Sequence, residues 1–146
     1  GLMKTPNGIK VIEFNARFGD PETEVVLPRL KSDAIDVFMA VASNEQPAAE
    51  WSEGATLGIV LASKGYPGDY TKGHVIRGVE RVESKVYHMG TAMKDGELVT
   101  NGGRVMFVVA EAPTLREAQQ KAMEDVERIE CDNLFHRNDI GAKAFR

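Results

Sequence analysis

The chain has 146 residues, of which 42% are hydrophobic and 27% charged, the balance of an ordinary single globular domain. This composition excludes disorder, collagen-like repeats and low complexity. Lys and Arg number 18 against 22 Asp and Glu, a net charge of −4 with no basic run, so neither nucleic acid nor a membrane surface is an expected partner. No apolar run approaches the roughly 18 residues of a membrane span. The single cysteine, Cys131, excludes an internal disulfide and a cysteine-rich zinc site, and the reducing cytoplasm is the expected compartment.

In chain order, Gly1 to Pro6 has neither the basic nor the apolar region of a secretory signal. Asn7-Gly8 reads as a tight turn, and Ile9 to Asn15 as a strand with Ile12 and Phe14 on its core side. Asp20-Pro21 reads as a helix start, with Asp20 as cap and Pro28 bending or ending the helix. Ser32 or Asp33 caps a second helix, in which Ile35, Phe38, Met39 and Ala42 form one apolar face. Asn44 to Gly54 is polar and marks a boundary, dividing the chain into 1–45 and 46–146.

Beyond the boundary, Thr56–Ser63, His74–Glu80, Lys85–Thr91, Glu97–Asn101 and Arg104–Ala110 read as strands. Asp95-Gly96 and Asn101-Gly102-Gly103 have hairpin-turn composition. Thr114-Leu115-Arg116-Glu117 is a capping box, and Leu115, Ala118, Ala122, Val126 and Ile129 continue at helical spacing. The expected class is α+β: a strand with two helices, then an antiparallel β unit with one packed helix.

Glu13-Phe14-Asn15 places a carboxylate and an amide oxygen two residues apart, on one face of an extended chain. Such hard oxygen donors suit Mg²⁺, which takes few protein ligands beside substrate phosphates. Arg17 follows, and a guanidinium suits a planar oxyanion. Spacing alone is equally that of an amphipathic strand with a solvated polar face.

The next residues add specificity. Arg17-Phe18-Gly19-Asp20-Pro21-Glu22-Thr23-Glu24, within the run Lys10 to Glu24, resembles the signature of the glycinamide ribonucleotide synthetase (phosphoribosylamine–glycine ligase) family, in the last segment of its ATP-grasp domain. Leu30-Lys31-Ser32-Asp33, Ala62 to Gly68 and Asp139-Ile140-Gly141 are similar to that family in the same order. The resemblance implies a cytoplasmic enzyme of purine synthesis. It would join glycine to 5-phosphoribosylamine through a glycyl phosphate, with ATP as co-substrate split to ADP and phosphate. It places Mg²⁺ or Mn²⁺ ligands on Glu13 and Asn15, and Arg17 beside the transferring phosphoryl group. Asp20 either contacts substrate or only shapes the loop. Members often carry Cys where this chain has Ala16. Neither a Walker A loop nor the nucleotide-binding front of such an enzyme is in the sequence, so a C-terminal fragment, inactive alone, is expected. Residues 1–45 would close the ATP-grasp domain and 46–146 form a β-rich closing domain.

Other features have plainer readings. Lys64 and Lys72 flank a Gly-rich loop and either reach substrate phosphates or decorate a surface turn. Ala92-Met93-Lys94 is similar to the lysine motif of biotin carriers, but Asp95-Gly96 moves the turn past the lysine. His74, His88 and His136 lack ligand spacing. The alternatives are therefore a non-catalytic β-module or biotin-carrier-like domain, or a different ATP-grasp carboxylate–amine ligase.

Overall fold

The computed structural model describes residues 1–145. The chain opens on an antiparallel hairpin, β1 (Leu2–Thr5) and β2 (Gly8–Val11), with Pro6 and Asn7 at its tip. The first helix, α1 (Thr23–Val26), is short and passes into a 3₁₀ turn at Leu27–Arg29 that contains Pro28. The second, α2 (Ala34–Ala42), is capped by Asp33, whose carboxylate accepts from the Ile35 N–H at 2.7 Å. Asn44 to Gly54 is not a free linker. The backbone of Trp51 bridges Leu30, and the Lys31 N–H donates to the Glu50 carbonyl at 2.8 Å.

The main sheet is antiparallel in the order β4 (Lys85–His88), β7 (Arg104–Ala112), β3 (Ala55–Ser63), β8 (Leu134–Phe135). β3 and β7 are nine residues each and pair along almost their full length. Directly opposed residues share a face. Leu57, Ile59 and Leu61 therefore join Met106, Val108 and Ala110 on one side. Against that side packs α3 (Leu115–Val126), through Ala118, Ala122 and Val126, all buried. The small side chains at two of these positions let the helix come close to the sheet. Thr114 and Glu117 form the expected capping box: the Glu117 carboxylate accepts from the Thr114 N–H at 3.0 Å.

Several expectations require correction. His74–Glu80 is not a strand; it makes single bridges at Val75 and Arg77 and then a 3₁₀ turn at Val79–Arg81. Lys85–Thr91 is broken, because β4 ends at His88 and β5 (Thr91–Lys94) pairs instead with β6 (Glu97–Thr100) in a separate hairpin. Asp95 and Gly96 form its turn with φ of 52° and 82°, the left-handed conformations that Asp-Gly supplies. Asn101-Gly102-Gly103 is consequently not a hairpin turn but the passage from that hairpin to the main sheet. The strand expected to reach Asn15 stops at Val11. Ile12, Phe14, Ile35 and Met39 do not face a core within this chain: Phe14 is 92% exposed and Ile35 71%.

A buried ion cluster fixes the far end of α3. The Asp125 carboxylate accepts from the Ser84 N–H at 2.9 Å and the Glu83 N–H at 3.2 Å, and pairs with Arg128 at 2.9 Å. Burial pushes this carboxyl up, but hydrogen bonds from Ser84 and Glu83 and the charge of Arg128 outweigh it and hold it below its ordinary value. Its contribution to stability is thus complete at neutral pH and fades as pH falls below the ordinary 3.8. Asp125→Ala should cost about 2–4 kcal/mol in urea unfolding, since two N–H donors and a cation lose their partner. The gap between wild type and variant should narrow on acidification below that value. The opposite face is tested at Gly58, where an added Cβ would collide with the Phe107 ring. Gly58→Val should destabilise by about 1–3 kcal/mol through overpacking, read as a lower unfolding midpoint at unchanged urea m-value.

Candidate functional site

The site grows out of the end of β2. The hairpin ladder runs slightly past the strand: the Ile12 N–H donates to the Gly1 carbonyl at 2.9 Å, and the Gly1 amine to the Glu13 carbonyl at 2.9 Å. The backbone then leaves the hairpin and enters the loop that carries the signature. Glu13, Asn15 and Arg17 line one concavity of about 480 Å³ with Gly19, Asp20, Pro21, Glu22 and Arg104. Glu13, Asn15 and Arg17 thus line one concavity, although no regular strand spans them.

Local bonds shape the loop. The Glu22 carboxylate accepts from the Gly19 N–H at 3.1 Å, and the Gly19 carbonyl accepts from the Thr23 hydroxyl at 2.7 Å and the Thr23 N–H at 3.0 Å. Arg17 donates to the Phe18 carbonyl at 3.0 Å. Asp20 does not cap a helix. Residues 20–22 form a turn, α1 begins at Thr23, and Glu22 stands at its N-cap without a side-chain capping bond. The Asp20 carboxylate instead meets Arg104 at 2.9 and 3.2 Å.

Two residues of a kind that Mg²⁺ accepts, Glu13 with its carboxylate and Asn15 with its amide oxygen, are among those lining this concavity. The donor set is hard and oxygen-only, which fits Mg²⁺ or Mn²⁺ bridged to phosphates better than a soft metal. Among the described residues no cluster of three or more His, Cys, Asp and Glu is placed to hold a metal by itself. His74 and His88 are engaged by hydroxyls, of Thr71 at 2.7 Å and Thr91 at 2.9 Å.

A second, larger concavity of about 700 Å³ adjoins the first across Pro21, Glu22 and Arg104. Its floor is the outer face of the sheet at Gly58, Val60, Ala62 and Phe107. Lys64 and Lys72 are exposed and line neither concavity. Lys94 ends β5 beside Glu97, with the turn beyond it at Asp95 and Gly96, so it is not displayed at a hairpin tip. Arg104 lines both concavities and was not singled out by sequence pattern. The available signal was an arginine heading a run of six apolar residues, Val105 to Ala110.

Residues 56–143 match the family model described as phosphoribosylglycinamide synthetase, C domain. A phosphoribosylamine–glycine ligase of Halalkalibacterium halodurans is 56% identical over 146 residues, covering 99% of this chain and 34% of that protein. One of Pasteurella multocida is 49% identical, covering 99% and 35%. The crystal structure of a phosphoribosylamine–glycine ligase from Thermotoga maritima superposes with a TM-score of 0.84 at 34% identity, covering 97% of this chain and 36% of that one. The chain spans about a third of the length of these relatives. No helix among the described residues is long and apolar enough to cross a membrane. On its match over residues 56–143, the chain belongs to the phosphoribosylglycinamide synthetase family and carries that family's C domain.

Proposed function

We propose that this chain is the C-terminal part of a cytoplasmic, ATP-dependent ligase that joins 5-phosphoribosylamine to glycine, giving glycinamide ribonucleotide, ADP and phosphate. The observation that carries this reading is the convergence of Glu13, Asn15 and Arg17 on one concavity, in a chain 56% identical to a relative of that name. Residues 1–45 would complete an ATP-grasp domain, and 46–146 would close over its cleft. The exposed Ile12, Phe14, Ile35 and Met39 support this, because the remainder of a longer protein would cover them.

The chemistry needs no nucleophile from the protein. A glycine carboxylate oxygen takes the γ-phosphoryl group of ATP and ADP leaves. The phosphoribosylamine nitrogen then attacks the glycyl carbonyl carbon, phosphate leaves, and the nitrogen releases a proton. Both steps bring anions together, so the protein's task is positioning and charge neutralisation. Glu13 and Asn15 would hold the cation, and Arg17 would face the transferring phosphoryl group. Bound Mg²⁺ or Mn²⁺ would supply charge neutralisation at the phosphate oxygens. Asp20 shapes the loop beside the substrates. Lys64 and Lys72 add positive charge on a neighbouring exposed loop, open to substrate phosphates.

Purified residues 1–146 should form no glycinamide ribonucleotide from ATP, glycine and 5-phosphoribosylamine, whereas the full-length protein should. Product from the isolated chain, detected by mass spectrometry, would refute the division of labour. In the full-length protein, Glu13→Ala and Asn15→Ala should each lower kcat by at least about 100-fold at low Mg²⁺, with partial recovery at high Mg²⁺. Normal turnover of either variant at low Mg²⁺ would remove it from the ligand set.

A further inference from the structure

The pairing of β3 with β7 contains one irregularity. Leu61 opposes Met106, but its neighbour Ala62 opposes Arg104, so Val105 is an extra residue on β7. This is a β-bulge, a device that re-aims a side chain. Strict alternation would put Arg104 on the face of Met106, two residues away, and Met106 is wholly buried in the core beneath α3. The bulge keeps Val105, also wholly buried, in that core and turns Arg104 to the face of Ala62.

On that face the guanidinium meets Asp20 with both of its forks. Nη2 donates to Oδ2 at 2.9 Å and Nη1 to Oδ1 at 3.2 Å, and Nη1 also reaches the Asp20 carbonyl at 3.3 Å. Three bonds therefore tie a residue of the signature loop to one 84 positions later in the sheet. A planar fork matched to a carboxylate fixes orientation as well as distance, which a lysine cannot do. Arg104 also stands in the wall of the concavity that holds Glu13, Asn15 and Arg17. The side chains of Arg104 and Asp20 remain 35% and 59% exposed, so the pair acts by geometry more than by burial.

We propose that Arg104 is a positioning residue. Through Asp20 it holds loop 16–22 against the sheet, so that Arg17 stays beside Glu13 and Asn15. The contribution to catalysis rests on the ligase reading above; the contribution to loop order does not.

Hydrogen exchange on the full-length protein tests it. Arg104→Ala and Asp20→Ala should each speed amide exchange in residues 16–23 by about tenfold, leaving the cores of β3, β7 and α3 unchanged. Arg104→Lys should fall between wild type and Arg104→Ala. The double variant should be no worse than either single one. The same variants should need several-fold more Mg²⁺ for half-maximal ligation while their thermal midpoints hold. Unchanged exchange in 16–23, a uniform rise through the sheet, or losses that add in the double variant would overturn the proposal. If Arg104→Ala fails to fold, Asp20→Ala removes both carboxylate bonds without touching the sheet and decides the question by the same exchange. A wild-type protein that forms no glycinamide ribonucleotide would sink the ligase reading, yet the exchange result would still settle what Arg104 does to the loop.

Discussion

The structure depends on one pair of strands. α3 covers one face of β3 and β7, while α1 and the signature loop meet the other, which also floors the larger concavity. The Thr56 hydroxyl donates to the Val25 carbonyl at 2.6 Å, tying α1 to the outer face, while Ile59, Val108 and Ala110 are wholly buried on the inner one. Because α3 buries the inner face, a slip of one residue would turn that face's apolar side chains to the outer one, so register is strongly specified. The bulge at Val105 departs from that register at the only place where a charged residue must leave the core.

The consequence is a site assembled from two parts of the chain. Glu13, Asn15 and Arg17 come from the loop after the first hairpin, and Arg104 comes from the sheet. Within the concavity, Asp20 and Arg104 neutralise each other, and Glu22 is tied to the loop backbone. Among the described residues neither Glu13 nor Arg17 enters a salt bridge, which suits the proposed cation and phosphate site. On the proposed reading the arrangement would be half of a phosphoryl-transfer centre: this chain, about a third of its relatives' length, would supply metal ligands and an arginine, and the longer protein the nucleotide.

What was legible in the sequence was local chemistry. The capping box at Thr114 and Glu117, the Asp95-Gly96 turn and the Asp33 cap are each decided by side chains within three residues. β3 and β7 were legible because both segments are almost continuously apolar. Non-local choices were hidden. Nothing near Thr91 says that β5 pairs with β6, and nothing near His74 says that its segment meets that hairpin by one bridge at Val75 and Glu130 by another at Arg77. Period-based reading put Ile35 and Met39 on a core face correctly as chemistry and wrongly as contact, because the described residues leave them 71% and 60% exposed. Glu13, Asn15 and Arg17 could be singled out by spacing and resemblance. Arg104 could not, because a bulge breaks the very alternation on which such reading relies.

The central claim is that Glu13 and Asn15 together hold a divalent cation at the phosphates of a nucleotide. A crystal of the full-length protein grown with Mn²⁺ and a non-hydrolysable ATP analogue tests it through the anomalous signal of manganese. The account predicts a peak coordinated by the Glu13 carboxylate, the Asn15 amide oxygen and phosphate oxygens. A nucleotide-bound manganese ligated by other residues, with Glu13 and Asn15 left to solvent, would contradict it.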